Sequence, residues 1–345
     1  MKLATSFAAS VFVCLAAGCG GTTLQSQLDA GPPAPTAEAA CTARATAECT
    51  LRDGCSNHWL ITRTYGDLAT CIARLHDTCV ASLAAPNTAI TATIVQACAT
   101  AYPSIACNDY LNGNLPASCL AQPGPGANGT ACRYASQCQS GYCAVNTGSA
   151  CGACAAPPVA GALCDGAGGV DGCGGHGMAC VGASFDTAGH CNALVPMGGT
   201  CDTTHECAAG LSCTPVATTA MNRTCQPAGS TLTTMCAQAT NPGCDTAHGL
   251  TCNGMTHLCT AETLAQPGQA CGINADGSFT SCAAGGDCMG YVAGTNPHGV
   301  CRAAAADGAA CDRHSGPFCR TPASCVVMGA GTAGICQLPT ASACH

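Results

Sequence analysis

A few stretches of this sequence combine residue types that could do chemistry. GGTCDTTHECAAGLSC (198–213) sets Cys201, His205, Cys207 and Cys213 close together, the thiolate and imidazole donors of a zinc site. CGAC (151–154) is the sole C-x-x-C, the spacing of a thioredoxin-like redox pair. RHSGPFC puts His314 beside Ser315, the base and nucleophile types of acyl transfer. DGAGGVDG (165–172) and NADGS (274–278) offer oxygens to a weak calcium site.

The spacing argues against each. Zinc fingers favour ligand pairs two to four residues apart, whereas five residues separate Cys201 from Cys207 and Cys207 from Cys213. No equivalent of His205 stands in the neighbouring cysteine clusters. The flanks of CGAC, NTGSA and AAPPVAG, carry neither a strand nor a helix pattern. Sequence adjacency of His314 and Ser315 is not a catalytic dyad, and there is no G-x-S-x-G elbow, H-x-x-x-H pair or phosphate loop. The expectation is no catalytic residue, no metal and no cofactor, with the cysteines acting as staples.

Composition supports staples. The 345 residues include 36 cysteines, the density of a disulfide scaffold. Leu, Ile, Val and Phe together make 46 residues, well under the roughly one-fifth below which chains rarely bury enough surface to offset conformational entropy. Covalent links must supply the order.

The N-terminus supplies the compartment for them. Lys2 precedes an apolar run, LATSFAASVFVCLAA (3–17), and then Gly18-Cys19. That is the pattern of a secretory signal peptide over 1–18, too short for a membrane span. Its end, LAAGC, resembles the lipobox of bacterial lipoproteins, which implies lipidation at Cys19 and a membrane partner through that lipid. Residues 19–40 then read as a flexible linker. Export predicts an oxidising setting, in the cell envelope, at the outer membrane or cell surface. Removing Cys14 and Cys19 leaves 34 cysteines, the even number that full pairing needs. Beyond Lys2 there is no lysine, and nine arginines face 18 acids, so nucleic acid is not an expected partner.

Two regions must position these cysteines. Residues 41–121 hold Cys41, Cys49, Cys55, Cys71, Cys79, Cys98, Cys107 and Cys119. Leu68, Cys71, Ile72, Leu75, Cys79 and Leu83 recur at spacings of three and four, the stripe of a helix, and Cys41, Ala45 and Cys49 share a face likewise. A further helix is expected to open at Pro86-Asn87 and carry Ile90, Ile94, Val95, Cys98 and Tyr102 to a stop at Pro103. This predicts a helical domain with about four disulfides. Trp59, beside His58 and Tyr65, is the aromatic best suited to face a ligand. The preferred alternative makes it core.

After the linker QPGPGANG the helical period vanishes and a repeat begins. Six modules are expected at 122–158, 159–196, 197–228, 229–264, 265–304 and 305–345. Their cysteines are Cys132, Cys138, Cys143, Cys151 and Cys154; Cys164, Cys173, Cys180 and Cys191; Cys201, Cys207, Cys213 and Cys225; Cys236, Cys244, Cys252 and Cys259; Cys271, Cys282, Cys288 and Cys301; and Cys311, Cys319, Cys325, Cys336 and Cys344. Gly129, Gly161, Gly198, Gly268 and Gly308 stand three residues before the first cysteine. Recurrence at this period marks a modular array. Four cysteines allow three pairings, and the sequence leaves them open, as it does the partners of Cys151 and Cys344. The expected fold class is small and disulfide-rich, a stapled helical domain followed by tandem cysteine-rich modules with short β-hairpins and irregular loops.

The repeats resemble the cysteine-rich domains of the Dickkopf N-terminal family, and the whole chain resembles the Ala/Gly-rich secreted lipoproteins of myxobacteria. The first resemblance implies a disulfide module that binds partners, but no receptor-contact motif can be matched here. The functional expectation is a non-enzymatic envelope lipoprotein whose modules serve adhesion or the binding of an unknown protein or matrix partner. The alternative is a secreted protease inhibitor or other effector using a rigid disulfide-framed loop.

Overall fold

The computed structural model describes residues 33–146, 148–164, 173, 177–181, 188–202, 205–216, 223–236, 242–292, 294–327, 329, 331–340 and 344. The expected signal peptide, Cys19, most of the linker and DGAGGVDG lie outside the described residues.

Five α-helices build the first region: α1 (Ala37–Cys55), α2 (Trp59–Thr64), α3 (Leu68–Leu83), α4 (Ala92–Ala101) and α5 (Cys107–Leu111). Side-chain oxygens begin three of them. Thr36 accepts from Ala39 N at 3.2 Å, Asp67 from Thr70 N at 2.7 Å and Thr91 from Ile94 N at 3.3 Å, each satisfying an amide the helix itself cannot. The third cap corrects an expectation. Helix α4 starts at Ala92, not at Pro86-Asn87, because Asn87 takes φ +59° in a turn and Thr91 supplies the cap. Ile90 packs on the core from the preceding loop.

Four disulfides tie these helices: Cys41–Cys79, Cys49–Cys71, Cys55–Cys107 and Cys98–Cys119. The first two are centres of packing. Ala40, Cys41, Cys79 and Val95 form one buried group with Val80, Leu83 and Ile90 against it. Cys49, Ile61, Tyr65 and Cys71 form another with Leu68, Ile72 and Leu75. The stripe read from the sequence thus faces α1, with the sulfurs inside it.

A buried polar network joins the same helices. Arg52 donates from Nε to Tyr110 Oη at 2.8 Å and from Nη1 to Tyr65 Oη at 3.1 Å. Tyr102 Oη donates to Glu48 Oε2 at 3.0 Å, and Glu48 lies 3.9 Å from Arg52. Burial opposes the Arg52 charge, yet the tyrosine oxygens and Glu48 outweigh it and hold the guanidinium more firmly protonated than usual. Burial, then the charge of Glu48, pushes Tyr110 up to about 12.

The second region repeats one small frame. In module 3 the strands are Thr200–Cys201, Leu211–Pro215 and Arg223–Pro227, with the last in the middle and both neighbours antiparallel to it. Modules 1, 2 and 6 share that order. Module 5 adds Thr263–Ala265 and Phe279–Cys282 to make five strands, and module 4 keeps a two-stranded ladder. In all six, the third and fourth cysteines sit directly opposite each other across the ladder.

The glycine three residues before the first cysteine has a mechanical reason. In five modules it takes φ between 78° and 88°, the left-handed region, and its N–H donates to the carbonyl of the fourth cysteine at 2.7–2.8 Å. Module 4 has Thr233 there. It makes the same bond to Cys259 at 3.0 Å with φ +73°, a strained conformation for a β-branched residue.

Each module also meets the helical region. Module 1 donates from Gln137 Nε2 to Pro86 O at 2.8 Å, and Ser136 O accepts from Ala89 N at 2.9 Å. Gly177 of module 2 lies close against Asn114. Ala209 N of module 3 donates to Asn112 Oδ1 at 2.6 Å. The Gly249 turn of module 4 lies on the Trp59 ring. In module 5, Gly285 N donates to Arg63 O at 2.7 Å. Module 6 is gripped by Arg74, which donates to both oxygens of Asp307 and to the carbonyls of Thr321 and Arg320. The helical region is therefore a hub.

Candidate functional site

Seventeen disulfides join the 34 cysteines that lie among the described residues. With Cys151 and Cys344, which bond each other, set aside, every module pairs its first cysteine with its third and its second with its fourth. The first set is Cys132–Cys143, Cys164–Cys180, Cys201–Cys213, Cys236–Cys252, Cys271–Cys288 and Cys311–Cys325. The second is Cys138–Cys154, Cys173–Cys191, Cys207–Cys225, Cys244–Cys259, Cys282–Cys301 and Cys319–Cys336. Such extensive bridging belongs to an extracellular or secreted protein. Among the described residues no helix is long and apolar enough to cross a membrane.

The sulfurs crowd as they would around a metal. In modules 1 to 5, three cysteine sulfurs lie within 4.8 Å of one another. Each is already bonded to another sulfur, however, and a metal ligand must be a thiolate. In GGTCDTTHECAAGLSC the imidazole has a carboxylate partner: His205 Nδ1 meets Asp202 Oδ1 at 2.9 Å. These two, with Glu206, Leu211 and Val181 of the preceding module, line an open depression of about 360 Å³.

The remaining sequence candidates resolve as structure. The cysteines of CGAC bond elsewhere, Cys154 to Cys138 and Cys151 to Cys344, so they form no redox pair. His314 and Ser315 both donate their backbone N–H to Asp312 Oδ1 at 2.8 Å, and Thr332 Oγ1 donates to Oδ2 at 2.8 Å. The Ser315 amide, the Thr332 hydroxyl and the His314 amide together hold Asp312 down to about 2. That is a carboxylate organising a turn. In NADGS, Asp276 Oδ1 accepts from Ser278 N at 2.9 Å and from its hydroxyl at 2.6 Å, a bond pattern that closes the turn.

Trp59 is covered, as the preferred core reading has it, and does not face a ligand. It is 8% exposed, and a Cβ added at Gly249 would stand 2.5 Å from its Cδ2. Module 4 occupies the ring face that a ligand would use. Tyr65 is committed to Arg52, and His58 to Asp53 at 2.8 Å.

What remains available to a partner is a row of side chains on five of the six modules, all but module 4. Strand neighbours of the buried cysteines point to the opposite face. The residue before the first cysteine, the one after the third and the one before the fourth fall in register across the sheet. The row is Ala131, Ala153, Ala144 in module 1 and Leu163, His190, Val181 in module 2. It is Ala270, Val300, Met289 in module 5, whereas module 3 offers only Thr200 and Thr224, because Thr214, which pairs with Thr224, is buried. In module 6 it is Ala310, Ile335, Val326. Leu163 is 70% exposed, Met289 53% and Val300 44%. Sequence reasoning passed over these positions because a period-2 alternation only two or three residues long is no signal by itself. The recurring cysteines could have supplied the register. Comparison of the chain with family models, with curated proteins and with solved structures finds no match.

Proposed function

We propose that this is a non-enzymatic envelope lipoprotein, held by a lipid on Cys19, whose modules display side chains for adhesion or for binding a protein or matrix partner. The observation that carries the reading is the constant frame with a variable row. Five of the six stapled frames hold the same backbone positions in register, yet the residues there run from three alanines to Leu, His and Val to Ala, Val and Met. Conservation of frame with variation of display is the arrangement of a multivalent binding surface. Exposed apolar residues such as Leu163 and Met289 supply the contact chemistry that partners bury.

The test uses the full chain, purified from its native envelope and coated on beads. Intact mass should carry an acyl increment on Cys19. Bead adhesion to the producing cells or their matrix should fall severalfold in the double variant Met289→Glu/Val300→Glu, whose disulfides and hub contacts are untouched. Unchanged adhesion together with tight blockage of a protease would contradict the reading and favour the inhibitor.

A further inference from the structure

Sixteen of the seventeen disulfides act locally, four within the helical hub and two within each module. The exception is Cys151–Cys344, which spans 193 residues and joins module 1 to the tail that follows module 6. Neither cysteine belongs to the first-to-third and second-to-fourth frame of a module. The same seam carries Val327 N donating to Gly148 O at 2.9 Å and Tyr134 Oη donating to Pro339 O at 2.6 Å.

We infer that Cys151–Cys344 is a covalent strap that makes the module array tolerant of proteolytic cuts. The argument is topological. The linkers between modules, at 155–163, 192–200, 226–235, 260–270 and 302–310, lie outside every local disulfide ring. With local bridges alone, one cut in any of them would leave the outer modules attached by hub contacts only, mostly hydrogen bonds and one arginine grip. The strap puts all five linkers inside one further ring. A single cut between residues 132 and 344 then opens a ring and releases nothing. Between Cys41 and Cys344, only the segment from Cys119 to Cys132 stays outside all rings. An extracellular display protein works among proteases, and in this one the cost of a cut is a nick. The inference does not depend on what the modules bind.

The arginines make the test sharp. The chain past Lys2 has no lysine, and Arg302 lies in the linker between modules 5 and 6. The full chain is alkylated without reduction, unfolded in urea and digested to completion with trypsin. Cleavage after Arg302 is verified by recovering the peptide 303–313 once the sample is reduced. Before reduction, the expected result is one large species that includes module 6. The only small product expected is the pair 45–52 and 64–74, joined through Cys49–Cys71. In Cys151→Ser/Cys344→Ser, the same digest should free module 6 from residue 303 onward as a separate species. Release of module 6 from the unaltered chain overturns the inference, and so does its retention in the double variant. Should the variant not be exported, the digest of the unaltered chain decides alone.

Discussion

The hub and the modules use the same bond for different ends. In the hub, bridges with separations of 21 to 52 residues join helices that already bury Ile61, Tyr65, Val95 and Tyr102 and share a polar network around Arg52. In the modules, bridges with separations of 11 to 19 residues are themselves the interior, and in module 3 the fully buried residues include Cys201 and Cys225. A disulfide in the hub adds to a core, whereas a disulfide in a module replaces one. The chain can therefore build a large protein from few large apolar residues, provided it folds where thiols oxidise.

The largest expected effect follows from this contrast. Removing Cys201–Cys213 as a serine pair should cost module 3 about 3 kcal/mol, on the order of what holds so small a unit, so its amides should lose exchange protection altogether. Removing Cys41–Cys79 closes off a longer loop and costs a similar or larger amount, yet α1 and α3 should keep protection because packed side chains remain. Equal loss of protection in both would break the comparison. Next in size, Arg52→Ala leaves Tyr65 and Tyr110 without their shared donor and Glu48 with Arg44 as its one cation, and should destabilise the hub by about 3 kcal/mol in denaturant unfolding. The bridges of the modules should not respond.

Alkali separates the two regions in another way. Tyr110 titrates at about 12 when folded, above its usual 10.0, and Tyr102 and Tyr65 are raised too, in each case first by burial. A group raised on folding gives stability that is complete below its unfolded pKa and lost as pH climbs to the folded value. Hub helicity, followed by circular dichroism, should decline between pH about 10 and about 12 and be flat from neutrality to pH about 9. These three tyrosines all belong to the hub, whereas modules 2 to 6 contain a single tyrosine. The smallest effect is a gain. Thr233→Gly relieves the left-handed backbone of module 4 and should stabilise it by about 1 kcal/mol, read as slower exchange at Cys259 and its neighbours.

Much of this architecture was legible in the residues, for physical reasons that differ by region. The α3 stripe stood out because sixteen residues give the 3.6 period room to repeat. The modules stood out because cysteine and glycine do jobs that other residues do poorly, and Thr233 is the exception that shows the strain. The start of α4 was misread since Pro86 looks like a first-turn proline, while the cap five residues on decides. Pairing within modules was illegible because it depends on which sulfurs the sheet brings together, and cysteines directly opposite each other are not the bonded ones. The core reading of Trp59 agrees with its burial, but what covers it is not legible. The cover depends on a glycine turn at residue 249, some 190 positions away, with no periodic trace.

The account rests on a single pairing rule, and a disulfide map of the unreduced full chain tests it most directly. Digestion with pepsin at acidic pH, where thiolates are scarce and exchange is slow, keeps the native bridges for mass spectrometry. The account predicts Cys201–Cys213 and Cys207–Cys225 in module 3 and the same first-to-third, second-to-fourth pattern in the other five, with Cys151–Cys344 as the one link between modules. Bridges between the facing cysteines, such as Cys213–Cys225, or alkylatable thiols with bound zinc at Cys201 and Cys207, would contradict it.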